Sequence, residues 1–304
     1  MLSVVVPVYN EAETLNEAAN AVKKVLNNAN IPYEIIFVDD GSTDNSWELI
    51  CREHSNDRKI KGLKFSRNFG KDAAIFAGLK NCKGDCVAVM DCDLQHPPEK
   101  LTEMYALWEQ GYEVIEGVKN TRGKESRLHK SFANAFYKIM SKITKINMKN
   151  ASDFKMLDRK VVNALIKMPE HRMFFRTLSS WVGYKNTAVV YDVKERVGGT
   201  SKWSTSKLIK YALSSVTSFT SNPMQLVTWC GALVFLIAVI FGIWSLIDKI
   251  IGRALEGMTT VIFLILFIGS IIMLTLGIIG YYIARIYEEV QARPRYIVDE
   301  FLDE

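Results

Sequence analysis

The sequence predicts an α/β domain with a largely parallel sheet, followed by juxtamembrane amphipathic helices and a two-helix transmembrane hairpin. Short β-rich apolar runs alternate with helix-like stretches through the first two thirds of the chain. Two long uncharged apolar runs follow. We therefore expect a globular domain at 1–203, an amphipathic juxtamembrane helix at 204–225, two transmembrane helices within 226–284 and a tail at 285–304.

The predicted sheet rests on four short apolar runs separated by helix-like segments. The helical patterns lie around 14–27, 46–54 and 71–80. This strand–helix–strand rhythm indicates βαβ units, whose strands run parallel, and ligands of such sheets bind beyond the carboxyl ends of the strands. The predicted strands are Leu2–Val6, Ile35–Val38, Leu63–Phe65 and Val87–Met90.

Each predicted strand ends in a polar motif. In chain order these are PVYNE, DDGSTDNS, SRNFG and DCDLQ. Neither G-x-G-x-x-G nor G-x-x-x-x-G-K-[ST] occurs, so dinucleotide binding and P-loop chemistry lack their usual support. Four polar strand ends without a glycine-rich phosphate loop indicate a nucleotide whose phosphates are held mainly by a metal ion.

The fourth motif supplies candidate metal ligands. Asp91 and Asp93 stand one residue apart on the chain that leaves a strand, and Gln95 follows. Mg²⁺ and Mn²⁺ are hard cations that bind through one or two carboxylates together with substrate phosphate oxygens. We therefore predict Mg²⁺ or Mn²⁺ on Asp91, Asp93 and Gln95. Taken alone, such an acid pair is also common on solvated loops, and only the neighbouring motifs favour the metal.

Two stretches have the pattern of basic amphipathic helices. The segment SRLHKSFANAFYKIMSKITKI, at 126–146, repeats apolar residues at helical spacing with lysine and arginine between them. Trp203–Phe219 shows the same pattern just before the first long apolar run. Such helices lie on anionic lipid, although packing on the core of the domain produces a similar pattern.

The long apolar runs predict the membrane hairpin and its orientation. Leu226–Ile247 has 22 uncharged residues and Thr259–Ala284 has 26, and either length crosses about 30 Å of hydrocarbon as a helix. The connector carries two basic residues, against five in the flanks. We therefore expect a multi-pass protein of the inner (cytoplasmic) membrane, and the charge bias places the globular domain and both termini in the cytoplasm.

Composition excludes other classes. The net charge of +5 accompanies no nucleic-acid motif, so we interpret it as attraction to anionic lipid and expect no nucleic-acid partner. The N-terminal run is too short for a signal peptide and lacks a basic start. The five cysteines then face a reducing compartment or the membrane, where we expect no disulfides.

The motifs together resemble a known enzyme family. VVVPVYNE, DCDLQHPPE, ASDFKMLDR, RVGGTSKW and RPRYIVDE, with the two apolar spans between the last two, cover nearly the whole chain. The sequence is similar to the family 2 glycosyltransferases of GT-A fold, and more narrowly to the polyprenyl-phosphate hexosyltransferases, which include bactoprenol glucosyltransferases and dolichol-phosphate mannose synthase. This resemblance implies a GT-A catalytic domain at 1–203 and a homotetramer.

The resemblance also implies roles for individual residues. Donor-nucleotide binding is implied for Pro7, Tyr9, Glu11, Asp39, Asp40 and Asp91. Catalytic roles are implied for Asp91, Asp93, Asp153 and Arg196, the last on the donor diphosphate. Binding of the lipid phosphate is implied for Arg122, Arg127 and Ser131. Lys155 stands where many relatives have arginine.

Asp153 is the acidic position that the family places near the acceptor. A phosphate monoester has a second pKa of about 6, so a lipid phosphate is mostly dianionic at neutral pH and needs no base to act as a nucleophile. We therefore expect Asp153 to position a ligand or a neighbouring cation rather than to accept a proton.

The implied function is that of an inverting glycosyltransferase. The expected reaction moves glucose from UDP-glucose to undecaprenyl phosphate on the cytoplasmic leaflet, giving a lipid-linked sugar for glycans of the cell envelope. Donors such as GDP-mannose or UDP-GlcNAc remain alternatives. A processive polysaccharide synthase shares the catalytic half, but the Q-x-x-R-W motif is absent from this sequence. A non-catalytic scaffold protein is a further alternative. Such a protein would not need the acid pair Asp91 and Asp93, which is intact in this sequence.

Overall fold

The structure is a computed structural model that describes residues 1–120, 152–170, 174–192, parts of 231–251, and 258–303. Two compact units divide the chain. The first comprises residues 1–212 together with 294–304, and the second comprises 213–293. The C-terminal residues therefore belong to the same unit as the N-terminal domain, although the second unit separates them in the sequence.

The first unit is built on one eight-stranded sheet. Its strands are β1 (Leu2–Val8), β2 (Tyr33–Asp39), β3 (Ile60–Phe65), β4 (Cys86–Val89), β5 (Val114–Lys119), β6 (Lys155–Asp158), β7 (Asn186–Tyr191) and β8 (Val298–Leu302). Its helices are α1 (Leu15–Asn28), α2 (Ser46–Asn56), α3 (Lys71–Asn81), α4 (Lys100–Glu109), α5 (Arg159–Ile166) and α6 (Phe175–Trp181).

The sheet has the order β7-β5-β6-β4-β1-β2-β3-β8. The pairs β4–β1, β1–β2 and β2–β3 are parallel, as predicted from the strand–helix rhythm. β6 is antiparallel to both β4 and β5, and β8 is antiparallel to β3. The sheet is therefore mixed: β6 and β8 run antiparallel to the central strands, whereas β5 and β7 form a further parallel pair that runs in the direction of the centre.

Strand burial and helix periodicity explain the core. Every residue of β1 and β2 is buried, as expected for central strands covered on both faces. In α1 the buried residues recur at intervals of three and four, which directs one face of the helix onto the sheet. Those residues are Leu15, Ala18, Ala19, Val22 and Leu26.

The C-terminal residues complete the sheet. β8 pairs with β3, and the ring of Tyr296 stacks on Phe65 with centroids 4.9 Å apart. The amide of Ser66 donates to the carbonyl of Ile297 at 3.1 Å. The sequence had predicted only a tail at 285–304, but its last part is a strand of the first unit.

The second unit contains α7 (Met258–Val290), a helix of 33 residues. Its part Phe267–Val290 is long and apolar enough to cross a membrane, and it is the one such helix among the residues that the structure describes. The span predicted at 226–247 lies partly outside those residues, so the two-helix hairpin stays a prediction. The amphipathic segments at 126–146 and 204–225 lie wholly outside them.

Candidate active site

The candidate site lies at the carboxyl edge of the parallel strands. β4, β1, β2 and β3 are neighbours in that order, so the polar motifs that follow them come together at one edge of the sheet. Gly41 shows how closely two of them approach. It has a φ of +67°, and a Cβ there would lie 2.5 Å from the carbonyl carbon of Arg67. Only glycine fits this contact between the second and third motifs.

Asp39 ends β2 with one oxygen that the protein does not use. Its Oδ1 accepts a hydrogen bond from the amide of Ser42 at 3.1 Å. Its Oδ2 is buried and has no hydrogen-bond partner among the described residues. Burial raises the pKa of this carboxyl. A buried acceptor without a donor is unfavourable unless a ligand supplies one, which fits the predicted role in nucleotide binding.

The first motif packs against the second. The amide of Asn10, which has a φ of 54°, donates to Ser42 Oγ at 2.9 Å, and the amide of Glu11 donates to Ser46 Oγ at 3.0 Å. Pro7 is buried within β1, and the side chain of Tyr9 remains 39% exposed beyond the end of that strand. The structure thus brings these predicted nucleotide-binding residues together beside Asp39.

Asp40 has a different set of partners from its neighbour. Its carboxylate accepts the amides of Phe69 at 2.6 Å and Gly70 at 2.9 Å. Burial outweighs these hydrogen bonds and raises its pKa to about 6. Both oxygens are therefore engaged by the loop after β3, so Asp40 positions that loop. Its predicted contact with the nucleotide stays a prediction.

The acid pair follows β4 in a constrained turn. The amide of Asp91 donates to Nδ1 of His96 at 3.1 Å, and the amide of Gln95 donates to Oδ1 of Asp93 at 3.1 Å. Leu94 between them has a φ of 56°, which is uncommon for a bulky residue. His96 is buried and stacks on Phe154 with centroids 5.0 Å apart. The turn thus keeps a strained backbone, a feature that concentrates at functional sites.

The donor atoms of this turn fit a hard divalent cation. Asp91 and Asp93 offer carboxylate oxygens, and Oδ1 of Asp91 already lies 2.6 Å from a cation, the ammonium of Lys71. Within the described part of the chain, no group of three or more histidine, cysteine or acidic residues is arranged to hold a metal. A metal on Asp91 and Asp93 therefore needs further oxygens from a ligand such as a diphosphate.

Asp153 is held by two cations. The guanidinium of Arg176 donates from Nε to Asp153 Oδ1 at 3.1 Å and from Nη2 to Oδ2 at 3.0 Å. Lys71 Nζ lies 2.9 Å from the same Oδ2. Burial opposes ionisation, but Arg176 and Lys71 outweigh it and hold the pKa of Asp153 well below its usual range. A carboxylate this weakly basic cannot accept a proton efficiently at neutral pH. The geometry agrees with the positioning role expected from the sequence.

Residues of α3 and α6 complete the site although the sequence did not single them out. Asp72, the second residue of α3, accepts the amide of Phe175 at 3.0 Å and so fixes the start of α6. This contact places Arg176 against Asp153. Lys119 ends β5, where burial and then Arg176 lower its pKa. Lys71 was one position beyond the SRNFG motif, but nothing in the local sequence pointed to Arg176 or Lys119.

Lys155 lies behind Asp153 and is fully buried. Its Nζ contacts Glu116 Oε1 at 2.7 Å, Ser180 Oγ at 2.8 Å and the carbonyl of Arg176 at 3.2 Å. A buried lysine needs such partners to remain favourable. Lys155 therefore supports the helix that carries Arg176.

The remaining predicted site residues cannot be placed. Arg122, Arg127 and Ser131, predicted to bind the lipid phosphate, lie outside the described residues. The same holds for Arg196, predicted to reach the donor diphosphate.

Comparison with known proteins identifies the family. Residues 3–167 match the family model described as glycosyl transferase family 2, which is more than half of the chain. The chain belongs to glycosyl transferase family 2. The resemblance read from the sequence motifs is thereby confirmed, and the mixed α/β sheet agrees with the GT-A fold of that family.

Relatives of this family 2 glycosyltransferase match over nearly their whole length. It is 36% identical over 299 residues to the prophage bactoprenol glucosyl transferase homolog of Escherichia coli, covering 98% of both chains. It is also 36% identical over 299 residues to the bactoprenol glucosyl transferase of Shigella phage SfII, covering 98% of this chain and 97% of that protein. A putative glycosyltransferase of Bacillus subtilis, CsbB, is 37% identical over 302 residues, or 99% and 92% of the two chains.

A solved structure has the same fold. Glucosyl-3-phosphoglycerate synthase from Mycobacterium tuberculosis, in complex with Mn²⁺, uridine diphosphate and phosphoglyceric acid, aligns with a TM-score of 0.52 at 16% identity. The alignment covers 73% of this chain and 80% of that one. At this identity the likeness concerns the fold.

Proposed function

We propose that this family 2 glycosyltransferase moves glucose from UDP-glucose to undecaprenyl phosphate on the cytoplasmic leaflet, with inversion at the anomeric carbon. The observation that carries the proposal is the convergence of the four strand-end motifs on one edge of the sheet. Full-length relatives named bactoprenol glucosyl transferases support the lipid acceptor. The product is a polyprenyl-phosphate-linked sugar that supplies envelope glycans.

The nucleoside part of the donor is assigned to the first two motifs. The buried Oδ2 of Asp39, which has no hydrogen-bond partner in the described part of the chain, can accept a hydrogen bond from the imide N–H of uracil or from a ribose hydroxyl. The half-exposed ring of Tyr9 offers a surface on which a base can stack. GDP-mannose and UDP-GlcNAc remain the alternative sugar donors. Asp39 is assigned to an N–H or hydroxyl group of the nucleoside, and this contact does not select a particular sugar.

Asp91 and Asp93 are assigned to Mg²⁺ or Mn²⁺, with Gln95 as a further ligand. When bound, such an ion neutralises negative charge on the diphosphate that departs from the sugar. The solved synthase of the same fold holds Mn²⁺ and uridine diphosphate, which supports a divalent ion here. The buried His96 keeps the backbone of Asp91 in place for this role.

The acceptor phosphate needs cations more than it needs a base. As a dianion it can attack the anomeric carbon directly. Lys71 contacts both Asp91 and Asp153, Arg176 contacts Asp153, and Lys119 is near enough to Arg176 and Asp91 to interact with them electrostatically. These three cations can offset the charge of the incoming phosphate. Asp153 holds two of these cations in place. Arg122, Arg127, Ser131 and Arg196 are proposed to add to this cationic surface.

The lipid acceptor requires a membrane location. α7 supplies an apolar helix of sufficient length, and its apolar side chains are exposed, as in Met273 and Leu276. The inner membrane, two spans, cytoplasmic termini and a homotetramer belong to this proposal.

The decisive experiment measures sugar transfer by the purified full chain in detergent. A panel of radiolabelled UDP-glucose, UDP-GlcNAc and GDP-mannose is incubated with undecaprenyl phosphate, with and without Mn²⁺. We expect labelled lipid from UDP-glucose only in the presence of metal, and loss of at least about 100-fold in Asp93→Ala. Asp57→Ala is the matched control, because Asp57 precedes β3 at the opposite edge of the sheet and its loss should leave transfer unchanged.

Other outcomes lead to other functions. Lipid labelled from another donor would keep the reaction class and change the sugar. Water-insoluble polymer without labelled lipid would favour a processive synthase. No transfer from any donor, in protein that still binds nucleotide, would favour a non-catalytic role.

A further inference from the structure

Lys71 bridges the carboxylates of Asp91 and Asp153. Its Nζ lies 2.6 Å from Asp91 Oδ1 and 2.9 Å from Asp153 Oδ2. Lys71 is the first residue of α3, and it follows Gly70, whose amide is bound by Asp40. The backbone that carries this side chain is therefore anchored, while the side chain itself is 42% exposed.

The partners of Lys71 differ in how firmly they are held. Asp153 keeps a bidentate contact with Arg176, so it retains a cation even without Lys71. Asp91 has no other lysine or arginine contact among the described residues; His96 lies 4.0 Å from its Oδ2 and accepts the backbone amide. Lys71 lies between two carboxylates, at 2.6 Å from Asp91 and 2.9 Å from Asp153, and a lysine with such partners carries its full positive charge at neutral pH.

The contact with Asp91 uses an oxygen that a metal ion needs. A divalent cation on Asp91 would lie within a few ångströms of the ammonium, and at that distance two cations in a partly buried site repel strongly. The ammonium and the metal therefore compete for Asp91 unless further negative charge arrives. A nucleoside diphosphate brings such charge.

We propose that Lys71 is a built-in counter-cation that occupies Asp91 in the absence of donor and makes metal binding dependent on the nucleotide. The inference rests on the proposed function, because it takes Asp91 as a metal ligand. When the diphosphate and the metal enter together, the flexible side chain leaves Asp91, keeps Asp153 and turns toward a phosphate oxygen. Lys71 thereby keeps a cation on the carboxylate of Asp91 when no donor is bound.

The test measures Mn²⁺ binding to the full chain in detergent, by the electron paramagnetic resonance signal of free Mn²⁺, with and without UDP. Wild type should bind Mn²⁺ weakly alone and much more tightly with UDP. Lys71→Met should bind Mn²⁺ without UDP about tenfold more tightly than wild type, since one repelling charge is removed. The enhancement by UDP should shrink by a similar factor, because the loss of Lys71 strengthens Mn²⁺ binding only when UDP is absent. The coupling is reciprocal, so the enhancement of UDP binding by Mn²⁺ should shrink equally.

Two further variants control for side effects. Lys80→Met removes an exposed lysine from the other end of α3 and should behave as wild type. Lys71→Arg keeps the charge and should restore weak Mn²⁺ binding in the absence of UDP, which a purely structural role of Lys71 would not predict. Lys71→Arg also provides the comparison with wild type if Lys71→Met does not fold.

The inference would be overturned if Lys71→Met bound Mn²⁺ alone no more tightly than wild type, or if Lys71→Arg bound it as tightly as Lys71→Met. Absence of Mn²⁺ binding in wild type even with UDP would overturn both the inference and the metal-dependent function. The Mn²⁺ binding assay contains no lipid. A failure of sugar transfer to the lipid, with Mn²⁺ binding as expected, would therefore contradict the proposed acceptor and leave the inference about Lys71 intact.

Discussion

Asp39 and Asp40 are adjacent in the chain, yet their carboxylates face different partners. Among the described residues, one buried oxygen of Asp39 has no hydrogen-bond partner, whereas both oxygens of Asp40 accept hydrogen bonds from the amides of Phe69 and Gly70. The alternation of side chains at a strand end separates them. One residue is thus suited to a ligand and the other to the support of a loop.

The burial of Asp40 predicts a pH-dependent stability. Its pKa rises from an ordinary value of 3.8 to about 6, so the folded state binds a proton that the unfolded state releases between these values. Stability is therefore greatest below pH 4 for this group and falls as the pH rises through 6, by about 3 kcal/mol in all.

Asp40→Asn removes this titration and keeps one acceptor oxygen for the loop. The melting temperature of the full chain in detergent is measured from pH 4.5 to pH 7.5. We expect wild type to lose stability relative to Asp40→Asn as the pH rises through about 6. Parallel curves for the two proteins would contradict the prediction.

Asp153 shows how neighbouring charges decide the role of an acid. The bidentate contact with Arg176 and the contact with Lys71 keep it ionised. An acid in this environment serves as an anchor for cations, which supports the proposal that the acceptor phosphate reacts without a protein base.

At the scale of elements, β8 is the least expected part of the fold. Lys61 on β3 is buried and bridges Glu34 Oε2 at 3.1 Å and Asp303 Oδ1 at 2.5 Å, just beyond the end of β8. Lys64, also on β3, pairs with Glu300 at 2.9 Å in a more exposed position. Two lysines of one strand thus hold the C-terminal segment, one from inside and one from the surface.

The difference in burial predicts different effects on stability. Lys61→Met leaves Glu34 buried without its cation and should lower the free energy of unfolding by about 3 kcal/mol. Lys64→Met is the matched control and should lower it by about 1 kcal/mol or less. Thermal unfolding of the full chain and trimming of its C-terminus by carboxypeptidase measure both effects. Equal effects of the two variants would argue against the buried bridge.

At the scale of the whole molecule, β8 restricts the membrane topology. β3 precedes the apolar segments and β8 follows them, yet both belong to one sheet. The two ends of the chain therefore lie on the same side of any membrane, and the chain between them must cross an even number of times. If α7 crosses a membrane, we therefore predict that the apolar run at 226–247 provides the second crossing.

Protease accessibility tests this topology. A specific cleavage site is inserted into the connector at 248–257, or appended after Glu304, in the otherwise intact chain. We expect protease added outside spheroplasts to cut the connector site only, and protease added to inverted vesicles to cut the C-terminal site only. Cleavage of both sites from the same side would show that the connector and the C-terminus lie on the same side of the membrane, which would contradict the predicted hairpin.

Much of the site follows from the sequence alone. Apolar runs that alternate with helical patterns predicted the parallel centre of the sheet, and parallel strands bring Asp39 and Asp91 to one edge. The length and apolar character of Thr259–Ala284 likewise predicted the helix α7. The strands, the helices and the long apolar run can be predicted because each depends on the residues of one short segment of the sequence.

The tertiary structure decided what depends on distant partners. Lys71 meets Asp153 across 82 positions, and Lys64 meets Glu300 across 236. Such contacts arise because helices and strands pack into fixed places, and no local pattern encodes them. The structure therefore determined that Lys71 and Arg176 belong to the site, that Asp40 supports a loop, and that the C-terminal residues return to the sheet, since each depends on which remote segments become neighbours.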